Sequence, residues 1–75
     1  MKLTDEEAKV LGYLVDKWEA GARERDIYRA LSMTADDTRR ILKHLENLGL
    51  LVAEPDDPPT PPPMRYWVTR EGVGQ

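Results

Sequence analysis

Seventy-five residues carrying eleven bases, fourteen acids and a net charge of −3 allow one small domain, since a chain of this size buries only about 60% of the surface it exposes when unfolded. The absence of cysteine excludes disulfides and thiolate metal sites. The apolar runs are far shorter than the roughly 20 residues that span a bilayer, and Met1-Lys2-Leu3-Thr4-Asp5 turns acidic before any signal core begins, so the cytoplasm is the expected compartment.

The first helix is expected over about 4–19. Thr4 with Glu7 three residues on forms a capping box, and Asp5 and Glu6 suit the positive end of the helix. Leu3 is placed to staple onto Ala8, and Ala8, Leu11, Leu14, Val15 and Trp18 recur at helical spacing as a buried stripe, with Trp18 a core plug. Gly21 is the expected stop. A short strand fits at Ala22-Arg23, and a second helix follows over about 23–31, burying Ile27 and Leu31.

Ser32-Met33 make a turn, and Thr34 caps a third helix over about 34–48, with Asp37 placed as a short capping carboxylate. At 100° per residue Thr38, Ile41, Leu42, Leu45 and Leu48 share one face. Asp36, Arg40, Lys43 and Asn47 share the opposite face, with Arg39 on its flank. Gly49 suits the left-handed residue that ends a helix, and Leu50 can fold back on the last turn.

Two β-prone runs follow, one over residues 51–54 and one over residues 64–69, with a hairpin expected over about 50–70. All six prolines lie between them, over 55–63, and proline donates nothing to a sheet ladder, so that stretch is expected to be a protruding tip. It reads as a stiff spacer, with a docking peptide for an aromatic groove as the other possibility. Along the second run Tyr66 and Val68 alternate with Trp67. Trp67 either points outward, as a surface for a partner or a second subunit, or is covered by helix 1.

Charge is uneven along the chain. Arg23, Arg25, Arg29, Arg39, Arg40 and Lys43 outnumber Glu24, Asp26, Asp36 and Asp37 over residues 23–45, while the remainder is acidic. The positive excess thus lies on the helix-turn-helix segment, where a phosphate backbone would be met. Arg39 and Arg40 are also spaced for ordinary intrahelical pairs with Asp36, and the face is then merely solvated.

From Arg25 to Gly72 the chain resembles winged-helix regulators of the MarR, ArsR and PadR type. The resemblance is carried by Ile27, Leu31, Met33, Thr38, Leu42 and the run Leu45-Glu46-Asn47-Leu48-Gly49-Leu50-Leu51, then by Tyr66-Trp67-Val68-Thr69-Arg70-Glu71-Gly72. It implies an α+β winged helix, with three helices and a C-terminal β-hairpin wing. It further implies that Ala35, Asp36, Arg39, Arg40 and Lys43 occupy the recognition-helix surface, the arginines reaching guanine edges or phosphates and Lys43 meeting phosphate. Arg65 and Arg70 would flank the wing strand and grip the neighbouring backbone.

His44, the single histidine, has no second ligand near it in sequence and reads as a surface residue. No nucleophile elbow, phosphate-binding glycine loop or converging carboxylates are present, so neither catalysis nor a cofactor is expected. The expected function is sequence-specific binding of double-stranded DNA by a small transcriptional regulator. A homodimer would then form through helix 1 or the hairpin. The competing expectation is a winged-helix module that meets a protein partner and leaves DNA untouched.

Overall fold

Local capping decides where the first helix begins. In the computed structural model, which describes residues 3–55 and 64–73, the Thr4 hydroxyl accepts from the Glu7 N–H at 3.2 Å, and the Glu7 carboxylate accepts from the Thr4 N–H at 2.9 Å. Helix α1 then runs Asp5–Asp16 and buries Val10, Leu11 and Leu14. Leu3 packs at the edge of this stripe, but Ala8 is exposed, because the stripe centres on Val10 and Leu14.

The helix stops a turn short of the expected residue 19. Lys17 caps it, and the Gly21 N–H closes the following turn onto the Lys17 carbonyl at 2.7 Å. That early stop takes Trp18 off the stripe: it is 62% exposed and plugs no core. Gly21 adopts φ +69° and leads into strand β1, Ala22–Arg23. The Trp67 ring crosses Gly21 so closely that a Cβ there would lie 2.7 Å from two ring atoms.

Helix α2, Glu24–Leu31, starts with the Asp26 carboxylate accepting from the Arg23 N–H and buries Ile27. Ser32, at φ 55°, ends it. Thr34 caps helix α3, Ala35–Asn47, by accepting from the Asp37 N–H at 3.1 Å. The expected inward face is buried: Thr38, Ile41, Leu42 and Leu45, with Leu48 partly so. At its end the Leu50 N–H bonds the Leu45 carbonyl and the Gly49 N–H bonds the Glu46 carbonyl, both at 3.0 Å, with Gly49 at φ +80°. These are the two bonds of a Schellman motif.

Strands β2, Leu51–Pro55, and β3, Met64–Val68, form an antiparallel pair with Ala53 opposite Tyr66, and β1 pairs on the far side of β3 to give the order β1-β3-β2. Pro55, assigned to the tip from the sequence, instead closes the edge strand β2, where its missing N–H costs the sheet little. The rest of that tip, 56–63, lies outside the described residues. Tyr66 and Val68 pack on the core, while Trp67, on the other face, is half-buried against Gly21.

Thr69 ties the end of the hairpin back to the end of α3. Its N–H donates to the Leu50 carbonyl, its hydroxyl donates to the Gly49 carbonyl at 2.7 Å, and that hydroxyl accepts from the Gly72 N–H. A four-residue helix α4, Arg70–Val73, follows, which the sequence pattern did not suggest. Among the described residues no helix is long and apolar enough to cross a membrane.

Two consequences are measurable. Thr38 is fully buried and its hydroxyl has no partner among the described residues. Thr38→Val removes an unsatisfied polar group without changing branching, so it should stabilise the fold by about 1 kcal/mol, raising Tm by about 4–8 °C. A fall in Tm on thermal melting would show that the hydroxyl is satisfied in solution.

The second concerns Glu7, whose carboxyl titrates below its ordinary value of 4.5, chiefly because it accepts the Thr4 N–H, with the nearby His44 a smaller cause. A lowered folded-state pKa contributes stability that is complete above 4.5 and disappears as pH falls below it. Glu7→Gln retains a capping-box side chain but cannot titrate. Its Tm should therefore decline less than that of the native chain between neutral pH and pH ~3, and parallel declines would count against the assignment.

Candidate nucleic-acid interface

Burial of one face of α3 leaves the other facing solvent. Asp36, Arg39, Arg40, Lys43 and Asn47 are all exposed, and Ala35 is half-buried at the first helical position. Five of the sequence-selected residues therefore share one surface: Ala35, Asp36, Arg39, Arg40 and Lys43. The 100° advance per residue sets Asp36, Lys43 and Asn47 along its middle and puts the two arginines on opposite flanks.

The flanking arginines are already engaged. Arg40 donates through Nη2 to Asp37 Oδ1 at 3.1 Å, so the Asp37 side chain serves as an ion-pair partner, rather than completing a capping box as expected. Arg39 reaches across to α2. Its Nη2 and Nε lie 3.2 and 3.4 Å from the two carboxylate oxygens of Glu24, and its Nη1 lies 3.8 Å from Asp36 Oδ1. Hydrogen bonding to Glu24, and then the charge of that carboxylate, hold the Arg39 guanidinium more firmly protonated than usual.

Glu24 is a member of this charged cluster that the sequence did not single out. It is placed by β1, whose pairing of Ala22 with Tyr66 brings the first turn of α2 beside the sheet. Burial, then the Glu24 and Glu46 carboxylates, raise the pKa of the Tyr66 phenol, while Arg39 opposes them. Local patterning holds no trace of an ion pair fifteen residues apart.

His44 lies exposed at the edge of the same helix. Its Nε2 is 3.3 Å from Glu7 Oε2, an α1-to-α3 contact at one side of a shallow cleft lined also by Thr4, Glu6, Arg40 and Ile41.

The two wing arginines separate. Arg65, on β3 opposite Arg23 and Glu54, donates through Nη1 to the Ala20 carbonyl at 3.1 Å, which ties it to the turn before β1. Arg70 stands at the end of β3 away from the hairpin tip, in a groove of about 450 Å³ lined with Val15, Trp18, Val68, Thr69 and Val73. It does not join the α3 surface. The groove's apolar rim is open, with Trp18 62% and Val73 55% exposed.

No protein-family model matches the chain, and no curated protein sequence does. Solved structures do. A MepR–DNA complex from Staphylococcus aureus is 28% identical with TM-score 0.87 over 96% of this chain and 57% of that one. MepR, a transcription regulator of the S. aureus multidrug efflux pump MepA, is 26% identical with TM-score 0.86 over 97% of this chain and 52% of its own. A point mutant of Lactococcus lactis ZitR superimposes with TM-score 0.82 at 21% identity, over 99% of this chain and 48% of that one, a likeness of fold alone. The chain thus spans about half the length of the solved chains it matches. This chain is a winged helix, and the regulators it resembles in structure are of the MarR type.

Proposed function

We propose that the chain is a DNA-reading domain of a transcriptional regulator, with α3 entering the major groove of a double-stranded target. The observation that carries this is the α3 surface of exposed Asp36, Arg39, Arg40 and Lys43 with half-buried Ala35 at its start, borne on a fold that superimposes with TM-score 0.87 on MepR in its DNA complex. A recognition helix meets base edges with its N-terminal residues, which here are Ala35, Asp36 and Arg39. Arg40 and Lys43, further along, suit phosphate contacts. Arg65 belongs to the wing side of this surface, and Arg70 is left out because its groove lies at the other end of β3. In this reading the domain acts by occupying DNA and performs no catalysis.

The test is a salt titration. Each phosphate contact contributes about −0.9 to the slope of log K against log salt. Lys43→Ala should weaken binding to every duplex and make that slope shallower by about 0.9. Failure of the folded native chain to bind duplex DNA at low salt would end the proposal.

A second reading, association through protein contacts, is favoured by the groove beside Trp18. Exposed tryptophan and valine around a shared depression form the kind of surface that a partner covers, and α1 was one of the two elements expected to carry a homodimer. If a second copy of the chain sits there, sedimentation should show a dimer that Trp18→Ala dissociates without lowering Tm. A monomer at all accessible concentrations would dismiss it.

A further inference from the structure

The Arg39 side chain, on which base reading rests in the function proposed above, does not stand alone. It is grasped along one edge by Glu24, through Nε and Nη2, from a different helix. Such a side-on grip takes the Nε–H and one N–H of Nη2, and leaves the second N–H of Nη2 together with Nη1 as an edge facing away from the carboxylate. Those terminal nitrogens are the fork that meets guanine O6 and N7 in the major groove. Glu24 is the better anchored partner, with its side chain 25% exposed against 64% for Arg39. Asp36, at 3.8 Å from Nη1 and 94% exposed, is too distant to hydrogen-bond and leaves Nη1 available.

We infer that Glu24 is a specificity-determining positioning residue: it aims the Arg39 fork at a guanine edge and, by its charge, withholds that cation from phosphates. The target is therefore a duplex presenting guanine to the first turns of α3. An ion pair this exposed contributes little to stability, so a brace between α2 and α3 is a poor account of it. A bidentate grip on a long side chain matters more for geometry, because it fixes an orientation that the free arginine would visit only in part. Removing the carboxylate leaves a mobile cation on the flank of the helix, which any phosphate can attract.

The inference rests on the DNA-reading proposal, and the test separates the two. The native chain selects its preferred duplex from a randomised pool. Affinities for that duplex and for a shuffled version are then measured over a range of salt for the native chain, Glu24→Gln, Glu24→Ala, Arg39→Ala and the Glu24→Ala/Arg39→Ala double variant. We expect Glu24→Ala to lose about tenfold in discrimination, on the scale of one bidentate base contact. Its affinity for the shuffled duplex should rise, with a salt slope steeper by about 0.9 as Arg39 becomes a phosphate contact.

Arg39→Ala should also lose discrimination, but with no gain in shuffled binding. The double variant should match Arg39→Ala, since Glu24 acts only through Arg39. A merely structural role would lower both affinities together with Tm. Glu24→Gln keeps the side-chain shape and carries the test should the alanine variant not fold. Native discrimination retained in both Glu24 variants overturns the inference and leaves the DNA-reading proposal standing. A native chain that binds no duplex, or binds all equally, overturns it as well, and the first of these outcomes ends both.

Discussion

The junction at Gly49-Leu50 is the constraint from which the rest of the domain is hung. Leu50 is buried in the core, its N–H closes the Schellman end of α3 on Leu45, and its carbonyl accepts from Thr69 after the hairpin. Gly72 packs on that same carbonyl, so closely that a side chain has no room. One residue thus fixes where α3 ends, where β2 begins and where the returning strand is tied. A helix end left unsatisfied would free several carbonyls at once. The two Schellman bonds satisfy the Leu45 and Glu46 carbonyls, and the Thr69 hydroxyl takes care of the next exposed one by donating to the Gly49 carbonyl while it accepts from the Gly72 N–H.

With the far end of α3 held in this way, its near end is set by Thr34 and by the left-handed Ser32 before it. The helix cannot roll, because Ile41, Leu42 and Leu45 sit in the core with α1 and α2 side chains against them. Its solvent face is therefore a fixed platform, and the position of each side chain on it follows from helical geometry alone. That is why Arg39 meets Glu24 on the α2 side, whereas Arg40 and His44 border the cleft beside α1.

What could be read from the residues was local or periodic. The capping box at Thr4, the Thr34 cap, the buried face of α3 and the Gly49 exit each depend on residues within a turn of one another, and all formed. The strand at Ala22-Arg23 was legible because an extended pair must bridge Gly21 to a new helix. The length of α1 was not, since Trp18 continues the apolar spacing perfectly well beyond the point where the chain leaves the helix. What ends α1 is the need to turn back and pair Ala22 with Tyr66, a demand placed by residues more than forty positions away. The same pairing lays Trp67 over Gly21 and brings Glu24 to Arg39. Neither effect has a local signature. The groove around Arg70 is non-local in the same way: Val15 and Trp18 of α1 line it, and adjacency to β3 in sequence says nothing about that.

The charge arrangement on α3 admits a physical argument about what kind of reader it can be. Asp36 and Asp37 in the first turn stabilise the helix through its dipole. Together with Glu24 they also pair both arginines of the surface. A surface compensated in this manner projects little long-range field, and the chain as a whole carries −3. Attraction to bulk phosphate, which scales with uncompensated cations, is correspondingly weak. In the proposed reading, binding must exchange carboxylate partners for acceptors on DNA, and that exchange is favourable only where the new acceptors stand in the geometry the old ones held. Guanine O6 and N7 meet that condition for a guanidinium, while a phosphate on a flexible backbone can be met by a lysine. In the DNA-reading proposal, Lys43 on the middle of the face is the residue suited to that second role. If the domain reads DNA as proposed, self-compensation lowers affinity for all sequences and taxes the wrong ones most, the route by which a small acidic domain would discriminate between duplexes.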